Sequence, residues 1–212
     1  MAKPSSTDIA FTPSVKAVQE RKGSRRGNYK VEERGGWETT VTPELISFLA
    51  ERNSAYLATA NSKGQPNVQH RGGPRGFIRV VDDRTLGFAD YTGNKQYITL
   101  GNLAENDQAL FFLMDYAHRK RVKIWGRAKV VENDPELIAK LMPEEANPAD
   151  PYATKPEQAI IFTIAAWDVN CPQHIPMKVD AADIAPVIER FEQRIAELEA
   201  ENARLKEALK SK

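Results

Sequence analysis

The sequence predicts a mainly β protein with flanking helices, in which antiparallel strands form a barrel or a sandwich. Between residues 54 and 169, six or so short apolar or alternating segments are joined mostly by tight turns. Hydrophobic residues make up 41% of the chain, which is typical of a globular protein. Over residues 181–212 the apolar positions change to a helical spacing, so a C-terminal helix completes the predicted fold.

Composition divides the chain into three parts. Residues 1–40 are rich in Ser, Gly, Pro and charge, and their basic run RKGSRRGNYK lacks an apolar period, so we interpret them as a partly flexible arm. Residues 41–175 form the main domain, and residues 181–212 form a heptad helix. The net charge of +1 argues against a protein that coats DNA or a membrane. No apolar run is long enough to span a bilayer, and we expect a cytoplasmic protein.

The elements of the main domain can be assigned in order. Thr42 is suited to cap a first helix, with Pro43 in its first turn. A second helix is predicted over 94–106, broken near Gly101, and a third begins at Asp134. The segment QALFFLMD is apolar at successive positions, which predicts a strand buried on both faces. The predicted strands cover 54–61, 67–71, 76–81, 85–90, 108–115, 122–131 and 159–169.

The C-terminal helix has the pattern of a coiled coil. Its apolar positions alternate in spacing between four and three residues, and Asn202 falls at an a position. A single Asn at a is typical of a parallel two-stranded coil. Arg194 and Glu201 at g would face Glu199 and Lys206 at e of a partner helix, and both pairs attract. The alternative is an amphipathic helix docked on its own barrel. The repeat comprises Ile184, Ile188, Phe191, Ile195, Leu198, Asn202, Leu205 and Leu209.

One predicted strand places cations together on a single face. In RKRVKIWGRAK, the even-numbered apolar positions face the core, because side chains alternate along a strand. The odd face is basic and includes one indole, and two interpretations remain open. It is a solvated face whose acids come from neighbours, or an anion site with Trp125 as a wall for a planar ring. The odd face comprises Arg119, Arg121, Lys123, Trp125, Arg127 and Lys129.

Two further clusters are suited to bind a phosphate. QHRGGPRGF at 69–77 combines His70, Arg71 and Arg75 with glycines, which let backbone amides approach a ligand closely. DYTGNKQ at 90–96 places Lys95 and Gln96 at the junction between a turn and a helix. Neither cluster matches the phosphate-loop or dinucleotide fingerprints, so neither an ATP site nor a Rossmann-type NAD site is supported.

Catalytic patterns are sparse. The single cysteine, Cys171, excludes an intramolecular disulfide, and no histidine spacing typical of a metal site occurs. Cys171 and His174 could form a nucleophile pair; the alternative is a small buried thiol beside a proline turn. Anion-binding clusters without acid–base machinery indicate that a cofactor supplies the reactivity.

The order of these pieces resembles a known family. The run from SAYLATANSKGQPNVQHRGGPRGF through DYTGNKQYITLGNLAEN to RVKIWGRAKVV is similar to the pyridoxamine 5'-phosphate oxidase-related, FMN-binding split-barrel family, over about residues 42–175. NCPQHIP is similar to a subgroup described only as flavin-nucleotide-binding proteins. The resemblance implies a six-stranded antiparallel split barrel that forms a homodimer with two FMN sites at the subunit interface.

The resemblance also implies which residues bind the cofactor. Arg71, Lys95 and Gln96 would hold the phosphate and ribityl chain. Gln69, His70 and the Gly72 backbone would lie along the isoalloxazine ring. The helix start would span Asn94 to Tyr97. The partner subunit would contribute Arg121 and Trp125, and Gln173 with His174 would close the site.

One departure from the family bears on the reaction. Pyridoxamine phosphate oxidases end in a strand with a Trp and an Arg-Leu-Ala-Pro-like segment that grips the substrate, whereas this chain has NCPQHIP and a heptad helix. We therefore expect an FMN-dependent oxidoreductase with an unassigned substrate, because the element that grips vitamin B6 in the family is absent. The alternatives are a flavin or haem carrier without turnover on the same fold, and a nucleic-acid-associated dimer that uses its basic arm and basic strand. The charge balance argues against the second alternative.

Overall fold

The computed structural model describes residues 4–142 and 156–210. The chain forms two compact units. The first comprises residues up to Asp115 together with Lys120–Gln173, and the second comprises Tyr116–Arg119 together with the chain from His174 onward. None of the helices in the described residues has the length and apolar character needed to cross a membrane.

The first unit is built on one antiparallel sheet. Its order is β2-β1-β5-β6-β7-β4-β3, and the sheet is open, which fits a split barrel. The resemblance implied six strands, whereas the described residues form seven, because a two-residue strand pairs with β4. The strands are β1 (Ser54–Ala60), β2 (Pro66–Gly72), β3 (Arg79–Val80), β4 (Thr85–Tyr91), β5 (Gln108–Asp115), β6 (Lys120–Glu132) and β7 (Pro156–Asn170).

Strand β5 corrects one prediction about burial. Phe111 and Leu113 are fully buried in the core, as expected. Leu110, Phe112 and Met114 on the opposite face are only half-buried, so the prediction of a strand buried on both faces is wrong. The cause is the period of two along a strand, which turns these side chains to the outer face of the sheet.

The helices are α1 (Pro13–Arg21), α2 (Arg25–Glu33), α3 (Pro43–Ala50), α4 (Ile98–Glu105), α5 (Pro135–Leu141) and α6 (Ala181–Lys210). Thr42 caps α3 as predicted, since its hydroxyl accepts a hydrogen bond from the Leu45 amide at 3.3 Å. Helix α4 continues through Gly101, so the predicted break there is wrong. Its Gly101 amide donates to the Tyr97 carbonyl at 3.0 Å, and a single glycine weakens a helix without ending it.

The N-terminal segment, which the sequence predicts as a basic, partly flexible arm, contains two helices. After a 3-10 turn at Ser6–Ile9, α1 and α2 follow, and Arg25 forms a 2.6 Å ion pair with Glu32. The segment ends on the sheet. The Trp37 ring stacks on Trp125 of β6 at 4.6 Å between centroids and 8° between planes, and Phe11 meets Trp37 edge-on.

In the second unit, α6 exposes its apolar repeat. None of its described residues is buried. The exposed fractions are 64% for Phe191, 56% for Ile195 and 42% for Leu198. Arg194 forms an ion pair within the helix, with Glu197 at 2.8 Å. A helix with an exposed apolar stripe buries little apolar surface on its own.

Candidate functional site

A cleft opens where β2, the end of β4, the turn into α4 and the start of β7 meet. It brings together six residues that the sequence analysis placed in a cofactor site, and all its lining residues belong to the first unit. The cleft is lined by Gln69, Arg71, Asp90, Tyr91, Gly93, Asn94, Lys95, Gln96, Tyr97, Ile98, Thr99, Leu100, Glu157 and Gln158.

Strand β2 divides its predicted site residues between two faces. Gln69 and Arg71 share the half-buried face and line the cleft. His70 lies on the opposite, exposed face, where its Nε2 is 2.9 Å from the Ser54 hydroxyl and its ring meets Tyr56 edge-on. Gly72 ends the strand opposite Ser54 and is not among the lining residues. The alternation of a strand therefore separates His70 from Arg71, although the two are adjacent in sequence.

The Arg71 guanidinium forms a buried ion pair within the cleft. Its Nε lies 2.8 Å from Oδ1 of Asp90, whose side chain is 5% exposed. The Nε–H bond does not point at that oxygen, so among the described residues Arg71 Nε is a buried donor without an acceptor. The second Asp90 oxygen accepts a 3.0 Å hydrogen bond from Gln158 Nε2. Arg71 Nη1 donates to the His70 carbonyl at 3.3 Å.

Burial raises the pKa of the Asp90 carboxyl above its usual range. The positive charge of Arg71 and the hydrogen bond from Gln158 lower that pKa, whereas the negative charge of Glu157 raises it. Desolvation is the largest of these effects, so Asp90 holds its proton more readily than an exposed aspartate. The cleft thus contains a carboxylate whose charge is sensitive to what enters it.

The turn into α4 supplies polar groups at the rim. Lys95 and Tyr97 have left-handed backbone angles, with φ of 59° and 52°. Such angles cost a non-glycine residue about 1–3 kcal/mol and cluster at functional sites. The backbone amide of Gln96 donates to Asn94 Oδ1 at 3.2 Å, and Asn94 Nδ2 donates to Gln96 Oε1 at 3.1 Å. No side chain caps α4, and Ile98, Thr99 and Leu100 of its first turn line the cleft.

The cleft of one chain is small. Its volume is about 70 Å³. Pockets that enclose a ligand of drug size measure about 300–1,000 Å³, so this cleft is suited to hold one end of such a ligand.

The structure of the basic strand β6 agrees in part with each of the two interpretations of its odd face, a solvated face with acids from neighbours and an anion site. Asp107 pairs with Arg127 at 2.6 Å, and Asp168 lies opposite Lys123 in the β6–β7 register, so neighbours supply acids to part of this face. Arg121 Nε is buried without a hydrogen-bond acceptor among the described residues. The ring of Trp125 is covered by Trp37. Neither Arg121 nor Trp125 lines the cleft of its own chain.

Gln173 and His174, in the segment after β7, do not line the cleft as predicted. Gln173 is exposed and is not a lining residue, and His174 belongs to the second unit with a φ of 61°. Cys171 is exposed, so the interpretation as a buried thiol is wrong. No group of three or more His, Cys, Asp or Glu side chains is placed to hold a metal ion within residues 4–142 and 156–210.

Asp90, Glu157 and Gln158 are among the lining residues of the cleft that sequence reasoning missed. Asp90 belongs to the DYTGNKQ cluster, and a charged residue at the end of the apolar segment TLGFAD is a usable signal for it. Glu157 and Gln158 come from the far end of the chain. Their approach to Asp90 depends on the β4–β7 pairing, in which Asp90 lies opposite Gln158. No local pattern gives that register.

The chain is similar to several proteins of solved structure. HupZ of Group A Streptococcus is 19% identical, with 66% of this chain and all of that chain covered and a TM-score of 0.47. An FMN-binding protein from Syntrophomonas wolfei subsp. wolfei is 13% identical, with 72% and 97% covered and a TM-score of 0.45. An F420 reductase is 22% identical, with 60% and 98% covered and a TM-score of 0.40.

Family membership comes from the sequence itself. No curated protein matches the chain. The sequence profile of the family described as pyridoxamine 5'-phosphate oxidase matches residues 41–171, which is more than half of the chain. That range contains the whole sheet and every residue that lines the cleft. The chain therefore belongs to the pyridoxamine 5'-phosphate oxidase family, the FMN-binding split-barrel proteins that its sequence resembles.

Proposed function

We propose that this protein binds FMN in a homodimer and works as an FMN-dependent oxidoreductase. The observation that supports it most is the convergence of Arg71, Lys95 and the uncapped start of α4 on one cleft. Arg71 Nε is a buried donor that lacks an acceptor, which a phosphate oxygen would provide. The chemistry of the donor set therefore fits the phosphate end of the nucleotide.

Each rim residue has a role in this proposal. Arg71 and Lys95 bind the phosphate, and the first amides of α4 donate to it. Gln69, Asn94 and Gln96 are amides suited to the hydroxyls of the ribityl chain. When bound, FMN supplies hydride or electron transfer at its isoalloxazine ring. The protein orients the ring and excludes water from it, while the substrate and the electron donor are left unassigned.

A second copy of the chain would complete the site. The cleft of one chain is too small for the whole nucleotide, so the ring needs a second surface. The outer face of the sheet is suited to be that surface. Val68 is 61% exposed and Tyr56 36%, beside the half-buried Phe112. The Arg121 guanidinium lies 5.9 Å from the Phe112 ring, so a partner chain meeting this face would receive both an apolar surface and a cation.

Helix α6 also supports an assembly of two copies of the chain. Its exposed apolar repeat, with Asn202 at an a position, favours a parallel two-stranded coil between two copies. We include this coil in the proposed homodimer. In the coil, Arg194 would leave Glu197 of its own helix and pair with Glu199 of the second copy. Because these charges are exposed, the exchange would change the free energy little.

The test is to identify the chromophore that the purified protein releases on denaturation. FMN at one per chain supports the proposal, and reduction of the bound FMN by NAD(P)H without oxygen separates an oxidoreductase from a carrier. A haem spectrum would favour the haem carrier. A colourless protein that also fails to bind added FMN would refute the proposal, and a shift of nucleic-acid mobility by that protein would support the nucleic-acid-associated dimer.

A further inference from the structure

The cleft holds a feature that FMN binding alone does not require, namely the buried carboxylate of Asp90. Its Oδ1 lies 2.8 Å from the Nε of Arg71, the same side chain that the proposed function assigns to the phosphate. Asp90 is 4% exposed, so solvent does little to screen its charge. An anion that enters the cleft therefore competes with Asp90 for Arg71.

We propose that Asp90 couples the binding of a phosphate monoester in this cleft to the uptake of a proton. In the empty cleft Asp90 is a positioning residue that holds Arg71, and when the phosphate takes its place beside Arg71, Asp90 becomes protonated and neutral. The inference rests on the proposed function for the identity of the ligand, and on the geometry of Asp90 and Arg71 for the coupling.

The charges that line the cleft support this coupling. Arg71 and Lys95 are its cations, and Asp90 and Glu157 are its carboxylates, so the lining is close to neutral before a ligand binds. A phosphate monoester brings a charge of about −1.5 to −2 at pH 7. Two cations cannot balance both that charge and two carboxylates. The buried carboxylate is the one that costs most to keep ionised next to an anion.

The direction of the pH dependence follows from the groups that face Asp90. Burial and Glu157 on β7 raise the pKa of its carboxyl, while Arg71 on β2 and Gln158 on β7 lower it. A phosphate bound to Arg71 weakens the main lowering effect and adds a like charge, so the pKa of Asp90 is higher in the complex than in the empty cleft. The complex then holds more protons, and affinity rises as pH falls through the interval between the two pKa values.

The experiment compares wild type with Asp90→Asn, which keeps the size of the side chain and removes its charge. FMN affinity is measured by calorimetry from pH 6 to 8 in buffers of different ionisation enthalpy, which also counts the protons taken up. At pH 8 we expect the variant to bind FMN about tenfold more tightly, with the difference shrinking toward pH 6. The phosphate's own ionisation is common to both proteins and cancels in the comparison.

Two controls test whether the change in FMN affinity comes from Asp90 and from the phosphate of FMN. Glu157→Gln removes the other lining carboxylate, which is exposed, and should change FMN affinity by less than about threefold. Riboflavin, which lacks the phosphate, should bind wild type and Asp90→Asn equally. If the variant folds poorly, the carboxyl carbon of Asp90 in wild type can be titrated by NMR, and its pKa should rise by about one unit or more when ligand is added.

Several results would overturn the inference. They are equal proton uptake by wild type and Asp90→Asn, weaker binding by the variant at every pH, or an unchanged Asp90 titration in the complex. Inorganic phosphate serves as the second probe. If phosphate binds with the expected proton uptake but FMN does not bind, the proposed function fails while the coupling stands. If FMN binds without the uptake, the coupling fails while the function stands.

Discussion

Replacing Arg71 with alanine should weaken FMN binding and destabilise the protein in a pH-dependent way. The binding effect comes from the loss of a charged hydrogen-bond donor to the phosphate, which costs about 1.5–3 kcal/mol. That loss corresponds to a dissociation constant higher by about ten- to a hundredfold. Fluorescence quenching of FMN on titration with the variant measures it directly.

The stability effect comes from the carboxylate that Arg71→Ala leaves behind. Asp90 would remain buried and would still accept the hydrogen bond from Gln158, and breaking a buried ion pair costs about 3–5 kcal/mol. Protonation of Asp90 limits this cost. From an unfolded-state pKa of about 3.9, protonating an aspartate takes about 4 kcal/mol at pH 7 and about 1.5 kcal/mol at pH 5. Because the Arg71 side chain is 17% exposed, water relieves part of the penalty.

The free energy of unfolding of Arg71→Ala should therefore fall below that of wild type by about 2–4 kcal/mol at pH 7, and by less at pH 5. The sign follows because the pKa of Asp90 in the folded variant is raised above its unfolded value, so stability is regained as pH falls through that folded pKa. Urea denaturation at both pH values is the assay. The double variant with Asp90→Asn should recover much of the loss.

Arg75→Ala is the matched control, since the Arg75 ion pair with Glu51 lies at the surface with side chains 43% and 60% exposed. It should change both affinity and stability little. A loss of stability in Arg71→Ala that is the same at pH 5 and pH 7 would refute the role of the stranded carboxylate. Unchanged FMN affinity would remove Arg71 from the site.

Two further predictions concern the ends of the chain. Asn202→Leu should raise the thermal unfolding temperature of the full-length protein and allow oligomers larger than a dimer, because it removes the polar a position that selects two strands. Calorimetry measures the unfolding temperature and sedimentation measures the oligomeric state. An unchanged oligomer with lower stability would contradict this prediction. Trp37→Ala should lower the free energy of unfolding by about 1–3 kcal/mol, since it removes the stack on Trp125 and the edge contact with Phe11. Trp37→Phe should lose less in the same urea titration, and an unchanged midpoint for Trp37→Ala would show that the N-terminal segment does not pack on the sheet.

Local signals predicted most of the fold. The period of two located the long strands, and Thr42 with Pro43 located the start of α3. The errors fell where tertiary structure decides. The half-burial of Phe112 depends on which sheet face is covered, and β3 keeps only two residues of the predicted strand 76–81, because only those two pair with β4. Neither fact is encoded in the few residues around it.

Part of the candidate site was also predictable from the sequence. Arg71 and Lys95 were selected from residue type and neighbouring glycines, and the fold brings both to one cleft. The period of two along the predicted strand 67–71 already separates His70 from Arg71, and His70 lies on the opposite, exposed face. Glu157 and Gln158 were missed because their place depends on pairing across most of the domain. Pairing between distant strands is set by packing, for which a single sequence has no short pattern.

The two free edges of the sheet bear on how copies of this protein can associate. The end strands of the sheet are β2 and β3 within the part of the chain that the structure describes. Edge strands can recruit strands from other molecules and so seed aggregates. Here β3 has only two residues, and β2 begins at Pro66, which has no amide hydrogen to donate. The β3 edge is too short to be a good template for a further strand, and Pro66 removes one donor from the β2 edge, so association through side-chain faces and α6 can end at a closed pair.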